Sequence, residues 1–190
     1  MRVVSVVTTP NPDALKFTVD VELLKEGSRS FTSTSAAKKD ALASSIFELE
    51  GVSSVFYMAN FITINKKLEI SWDGLEPEIL KALKAHEPEV EEGGEEQEQE
   101  TQESSPKIPF DEMSPAQRVL AIDRLLDKEV RPGLAGDGGG LEVVSLEENV
   151  LQIHYEGACG TCPSSTSGTL SYIESILRSN LAPDLQVVPV

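Results

Sequence analysis

The stretch Gly157-Ala158-Cys159-Gly160-Thr161-Cys162-Pro163 holds both cysteines of the chain, three positions apart. The hydrophobic period changes across it. Before it, from Val150 to Glu156, Leu151, Ile153 and Tyr155 alternate with Gln152, His154 and Glu156, the period of two of a half-buried strand. After it, Leu170, Ile173, Leu177 and Leu181 recur along one helical face. Pro163 suits a first helical position, because its missing N–H would have no intrahelical partner there. Cys162 then falls at or just before a helix N-terminus, where unpaired amides and the helix dipole favour a thiolate.

Four readings of this Cys-x-x-Cys follow. Two small buried hydrophobes fit poorly, since Gly157, Gly160 and Pro163 describe an open turn. Mononuclear zinc needs about four ligands. The chain has no second Cys-x-x-Cys, and of its two histidines, His86 and His154, the latter lies on the polar face of its strand. A thiol-disulfide pair would want a strand, the cysteines and a helix within a β-α-β pattern, which the segment partly imitates. An iron-sulfur cluster takes about four thiolates. One chain supplies two, and two chains about a two-fold axis would supply all four.

Working outward, Ser114-Pro115-Ala116-Gln117 has the form of a capping box with proline at the first helical position. Val119, Ile122, Leu126 and Val130 follow on one face, and Arg131-Pro132-Gly133 is expected to stop that helix. Leu134 to Gly140 reads as a glycine-rich loop without the spacing of a nucleotide-binding loop. Gly138, Gly139 and Gly140 are expected to let backbone approach the cysteine turn closely. Leu141 to Leu146 and Val150 to Glu156 then form a hairpin, and Leu185 to Val188 adds a last strand, giving a small two-layer domain.

These elements carry a resemblance. The run VRPGLAGDGGGLEVVSLEENVLQIHYEGACGTCPSSTSGTL at residues 130–170 resembles the C-terminal domain of the NifU/Nfu family of iron-sulfur cluster scaffold and carrier proteins. The matching features are Val130-Arg131-Pro132, the Asp137-Gly138-Gly139 turn, the Leu141 to Val144 strand and the Gly-Ala-Cys159-x-x-Cys162-Pro-Ser-Ser box. One departure is that Thr169 and Leu170 stand one place further from Cys162 than in the usual family spelling. The resemblance implies that Cys159 and Cys162 from each of two subunits hold a [4Fe-4S] cluster, which is passed to apo iron-sulfur recipient proteins. It also implies dealings with the cluster assembly machinery and a homodimer that depends on the cluster.

The first part of the chain reads as an α+β domain. Strands are expected at Arg2 to Thr8, Ala14 to Leu24 and Arg29 to Thr34, the last pairing with the second. A helix carries Leu42, Ile46 and Leu49. Val52 to Met58 and Phe61 to Asn65 form a hairpin through Ala59-Asn60, where Asn tolerates a left-handed conformation. A short helix runs from Pro77 to His86, and Trp72 is a packing anchor. TPNPDALKF at 9–17 and IFELEGVSSVFYMANFITINK at 46–66 resemble the N-terminal domain of Nfu proteins. For this domain the resemblance implies a supporting role in partner recognition or cluster transfer.

Net charge is −16 over 190 residues, unevenly placed. Residues 87–109 carry nine of the 32 acidic groups and no aromatic residue, so they cannot bury enough apolar surface to offset their ordering entropy. The expected organisation is therefore α+β, two small two-layer α/β-sandwich domains at 1–86 and 110–190 joined by a disordered acidic linker at 87–109, with the domains moving almost independently. Without a basic patch in the second half, nucleic acid is not an expected partner. No run approaches the ~20 apolar residues that span a bilayer. The lack of a signal-like segment and of a disulfide framework gives an expectation of reducing cytoplasm. The chain is read as a non-enzymatic cluster scaffold or carrier. The alternatives are a thiol-disulfide oxidoreductase and a module holding zinc between subunits.

Overall fold

The computed structural model describes residues 1–86, 109–160 and 165–190. Two sheets with their own helices and cores make up the described chain. The acidic segment, Pro109 apart, lies outside it, as do Cys162 and Pro163.

The first sheet is antiparallel throughout, in the order β1-β2-β5-β4-β3. Its strands are β1 (Val3–Thr8), β2 (Ala14–Val19), β3 (Ser28–Phe31), β4 (Val52–Met58) and β5 (Phe61–Lys66). Alternation divides its faces. Leu15, Phe17, Val55, Tyr57, Ile62 and Ile64 turn inward against α1 (Thr34–Ala37), α2 (Ala41–Phe47) and α3 (Trp72–Ala85), which supply Ala37, Leu42, Ile46, Leu75, Ile79 and Leu83 to the same core.

Asp40 caps α2 by accepting from Ala43 N at 2.8 Å, and also holds the Arg29 guanidinium at 3.1 Å and the Tyr57 hydroxyl. Burial, then the bond to this carboxylate, raises the Tyr57 pKa above its ordinary value.

Several expectations need correction here. The second strand stops at Val19. Asp20 turns its carboxylate back to Arg2 N at 2.8 Å, and the following segment hangs on Ala59 O through Leu23 N at 2.6 Å. β3 pairs with β4 and not with β2. In the β4–β5 turn the left-handed residue is Ala59, with φ 46°, rather than Asn60. α3 starts a turn earlier than Pro77 indicates, because Ser71 caps it at Asp73 N.

The second sheet has the order β6-β7-β8. β6 (Gly139–Glu147) and β7 (Val150–Gly157) form the expected hairpin, and β8 (Gln186–Pro189) lies parallel to β7. The helices α4 (Pro115–Glu129), α5 (Arg131–Gly136) and α6 (Ser165–Asn180) accompany it. The Ser114–Gln117 capping box is present. Arg131-Pro132-Gly133, expected to end a helix and open a loop, instead starts α5 directly after α4, with Pro132 in its first turn. Arg131 joins the two helices by pairing with Asp123 at 2.9 Å and Asp127 at 2.6 Å. Ile122, Leu126, Leu134, Leu151, Ile153, Ile173 and Leu177 close this core.

Among the described residues, no helix is long and apolar enough to cross a membrane.

Candidate functional site

The cysteine turn is built from the meeting of two glycine-bearing strand ends. β7 finishes at Gly157, which pairs with Gly139 at the start of β6. Gly157 has φ +63°, and a Cβ there would lie 2.6 Å from Gly138 O and 2.8 Å from the Phe56 ring. A side chain at this position would therefore meet both a strained backbone and two obstacles. The chain then folds back on itself, Ala158 N donating to Gly138 O at 3.1 Å and Gly160 N to Gly157 O at 3.3 Å.

This turn sets Cys159 against Gly139. A Cβ on residue 139 would collide with the Cys159 sulfur and come 3.0 Å from its Cβ. The expected close approach of backbone to the cysteine turn is therefore present at Gly139. Gly138 and Gly140 have a different reason to be small. Their Cβ atoms would meet Thr63 Oγ1 at 3.0 Å and the Phe56 ring at 3.1 Å, both on the first domain.

The first domain in fact lies on this turn, which corrects the expectation of independent domains. Its sheet has an outer face, away from its own helices, formed by Lys16, Phe56, Phe61, Thr63 and Asn65. Phe56 and Thr63 there are fully buried and Asn65 is 1% exposed. Two side-chain amides reach the carbonyls that precede Cys159. Asn65 Nδ2 donates to Gly157 O at 3.2 Å, and Asn11 Nδ2 donates to Ala158 O at 3.1 Å. Ser28 Oγ donates to Glu156 Oε2 at 2.7 Å. Lys16 Nζ donates to Ala135 O at 2.7 Å and Gly136 O at 3.3 Å, at the C-terminal end of α5 where carbonyls lack helical partners.

Burial governs the electrostatics here. It raises the Glu156 pKa above the ordinary carboxylate value, against the opposing effect of the Ser28 bond. The Tyr155 phenol is pushed up to about 12, by burial first and then by the charge of a Cys159 thiolate.

Of the two expected ligands, Cys159 is 5% exposed and belongs to the second core together with Leu141, Tyr155 and Ile173. The sequence reading, which set burial among apolar groups aside, is corrected on this point: the turn folds inward over β6 rather than outward. Cys162 lies outside the described residues. His154 is exposed, its Nδ1 3.0 Å from Val190 O, and stands apart as expected of a solvated strand residue. Among the described residues, no three His, Cys, Asp or Glu side chains gather as a metal would require. The donor chemistry is thus a soft thiolate beside backbone, with a second cysteine three positions on. That suits iron and sulfide better than a hard cation.

Asn11, Asn65, Ser28 and Lys16 went unread in the sequence as parts of this site. Little signal was present: Thr63 and Asn65 alternate with Ile62 and Ile64 as on a half-exposed strand, and Phe61 alone marks the outer face as apolar, yet all five are buried. A strand buried on both faces needs a cover on both.

Comparison with known proteins agrees with this division. Residues 4–89 match the family model described as scaffold protein Nfu/NifU N terminal, and residues 122–188 match the NifU-like domain. An Arabidopsis thaliana protein named NifU-like protein 4, mitochondrial, is 31% identical over 90% of this chain and 59% of its own length. A Drosophila grimshawi protein named NFU1 iron-sulfur cluster scaffold homolog, mitochondrial, is 32% identical over 90% of this chain and 55% of its own. The chain thus spans somewhat under three fifths of the length of these two relatives. The solution structure of a NifU-like protein from Saccharomyces cerevisiae is 34% identical, covers 44% of this chain and 77% of that one, and superposes with a TM-score of 0.38.

The names of these curated relatives overturn the expectation of a cytoplasmic location, since both are called mitochondrial. A cysteine-poor chain indicates a reducing compartment and does not distinguish among such compartments.

Proposed function

Because the chain belongs to the Nfu/NifU family of iron-sulfur cluster scaffold proteins, we propose that it binds a [4Fe-4S] cluster through Cys159 and Cys162, shares it between two copies, and passes it to recipient apoproteins. In this reading the protein catalyses no reaction of its own, and receives its cargo from the assembly machinery.

The observation that carries the reading is the seating of Cys159 on Gly139 within the segment that matches the NifU-like domain. Any side chain at 139 would collide with the sulfur, so the turn that carries the cysteine pair can take this form only against glycine. Two thiolates per chain fall short of the ~four that such a cluster takes, and a two-fold pair of chains makes up the number. A cargo held across a subunit boundary can be released by parting the subunits. A cargo enclosed by four ligands of one chain could not. The thiol-disulfide alternative gains nothing from the family matches, which concern cluster scaffolds.

Anaerobic reconstitution with iron and sulfide, followed by Mössbauer spectroscopy and an iron count, tests this. The expected result is a [4Fe-4S] spectrum at about two irons per chain, lost in Cys159→Ala and in Cys162→Ala. Undiminished iron and sulfide in either variant would contradict the assignment of ligands.

A further inference from the structure

The contact between the first sheet and the cysteine turn has a consequence for assembly. Cys159 is 5% exposed, and the residues before it, Glu156 to Ala158, are buried as well. The carbonyls of Gly157 and Ala158 are occupied by Asn65 and Asn11, and the Phe56 ring fills the space above Gly140 and Gly157. A cluster is several atoms across, and sharing it would bring a second chain's cysteine turn up to this one. Cys159 itself is packed into the core of its own domain, and with the first sheet in place the backbone leading to it, Glu156 to Ala158, is already covered on the side where a second chain's turn would have to sit.

The face making this contact has the composition of a built surface. On the free side of an antiparallel sheet, fully buried Phe56 and Thr63 and nearly buried Asn65 would all be exposed without a cover. The Thr63 hydroxyl, set against Gly138, has no hydrogen-bond partner among the described residues, so at that point the two domains meet by packing alone. Two amides and one ammonium donate from this side, and they meet carbonyls at a turn and a helix end, of which Gly157 O and Ala135 O also accept from Gly160 N and Gly138 N within their own domain. Donors on one side and acceptors on the other are complementary.

We propose that the outer face of the N-terminal sheet is a docking surface for the chain's own cysteine turn, and that its closure over residues 156–159 competes with the pairing of two chains around a cluster. This rests on the function proposed above. Asn11 and Asn65 are the positioning residues: they hold the turn through its carbonyls and do not reach the cargo. Closure protects Cys159 from solvent reagents, and cluster loading requires the sheet to swing away.

The test uses the full chain, reduced and stripped of metal by a chelator. Asn11→Asp with Asn65→Asp keeps side-chain shape and keeps the oxygen that accepts from Asp13 N at 3.0 Å, while turning each donor toward a carbonyl into an oxygen that repels it. Iodoacetamide labelling of Cys159, located by fragment mass spectrometry, should run about tenfold or more faster in this double variant than in the original chain. Circular dichroism and the unfolding transition check that both chains are folded. Lys16→Met, which removes a donor away from the turn, serves as a second, milder opening and should give an intermediate rate.

Equal labelling rates in all three chains would overturn the proposal. Protection that rises with protein concentration would place a second copy's turn on the face and overturn the intramolecular contact. Reconstitution run in parallel should show the double variant taking up iron sooner than the original. Should neither chain bind a cluster, the proposed function fails, while the labelling rates still decide whether the sheet covers the turn.

Discussion

At Gly139 a single hydrogen in place of a side chain decides whether the cysteine turn can close. Gly139→Ala would drive a methyl group into the Cys159 sulfur and to within 2.9 Å of Glu156 O. Overpacking of this kind costs about 1–3 kcal/mol. The expected outcome is a lowered unfolding midpoint for the second domain together with loss of reconstituted iron, read by calorimetry and by iron assay on the same samples. A variant with native stability and full iron content would show that the turn relaxes away from β6 freely. The cysteines themselves were legible in the sequence because both fall within four residues at a change of period. Their setting was not. Asn11 and Asn65 meet Ala158 and Gly157 across 147 and 92 positions, and nothing local to a Thr-Pro-Asn-Pro turn or to the end of a strand announces such a partner.

At the scale of elements, the pieces whose signals are local were readable and those set by tertiary pairing were not. The capping box at Ser114, the period of β7, the apolar face of α6 and the β4–β5 hairpin all follow from neighbouring residues. The partner of β3 does not: its Ser28-Arg29-Ser30 offers little hydrophobic pattern to fix a register, and its place on β4 is secured by Arg29 reaching Asp40 and Tyr57. Pro77 suggested a helix start, yet the cap a turn earlier prevailed. This corner of the first domain yields a test by pH. The Tyr57 pKa is raised in the fold above its ordinary 10.0, by burial and then by the bond to Asp40. A raised value favours the protonated phenol, so its contribution is whole below about pH 10 and is lost as pH climbs through the folded value. Urea unfolding of the original chain should weaken above about pH 10, and Tyr57→Phe should be less stable at neutral pH but show a flatter alkaline decline. Parallel declines in the two chains would remove Tyr57 from the account.

For the whole molecule, the composition pointed to two modules and a charged connection, and the two cores are indeed made of separate sets of residues. What composition could not show is that the first sheet would leave a face open for the second module to cover. A fragment of residues 110–190 contains every member of the second core and both cysteines, so it should fold and take up a cluster. It should also expose Glu156 to Ala158 to solvent, and its turn should exchange amide hydrogens faster than the same turn in the full chain. Slow exchange at Ala158 and Gly160 in the fragment would mean that the second domain protects its own turn. The linkage between cargo and assembly is the central claim for the full chain. A cluster needing ligands from two chains acts as a ligand of the paired state alone, and so stabilises the pair by mass action. Sedimentation velocity under anaerobic conditions, with iron counted across the boundary, tests this most directly. The account predicts a slow species before iron and sulfide are added and a species of twice the mass afterwards, carrying about four irons; a loaded species that sediments as a single chain would contradict it.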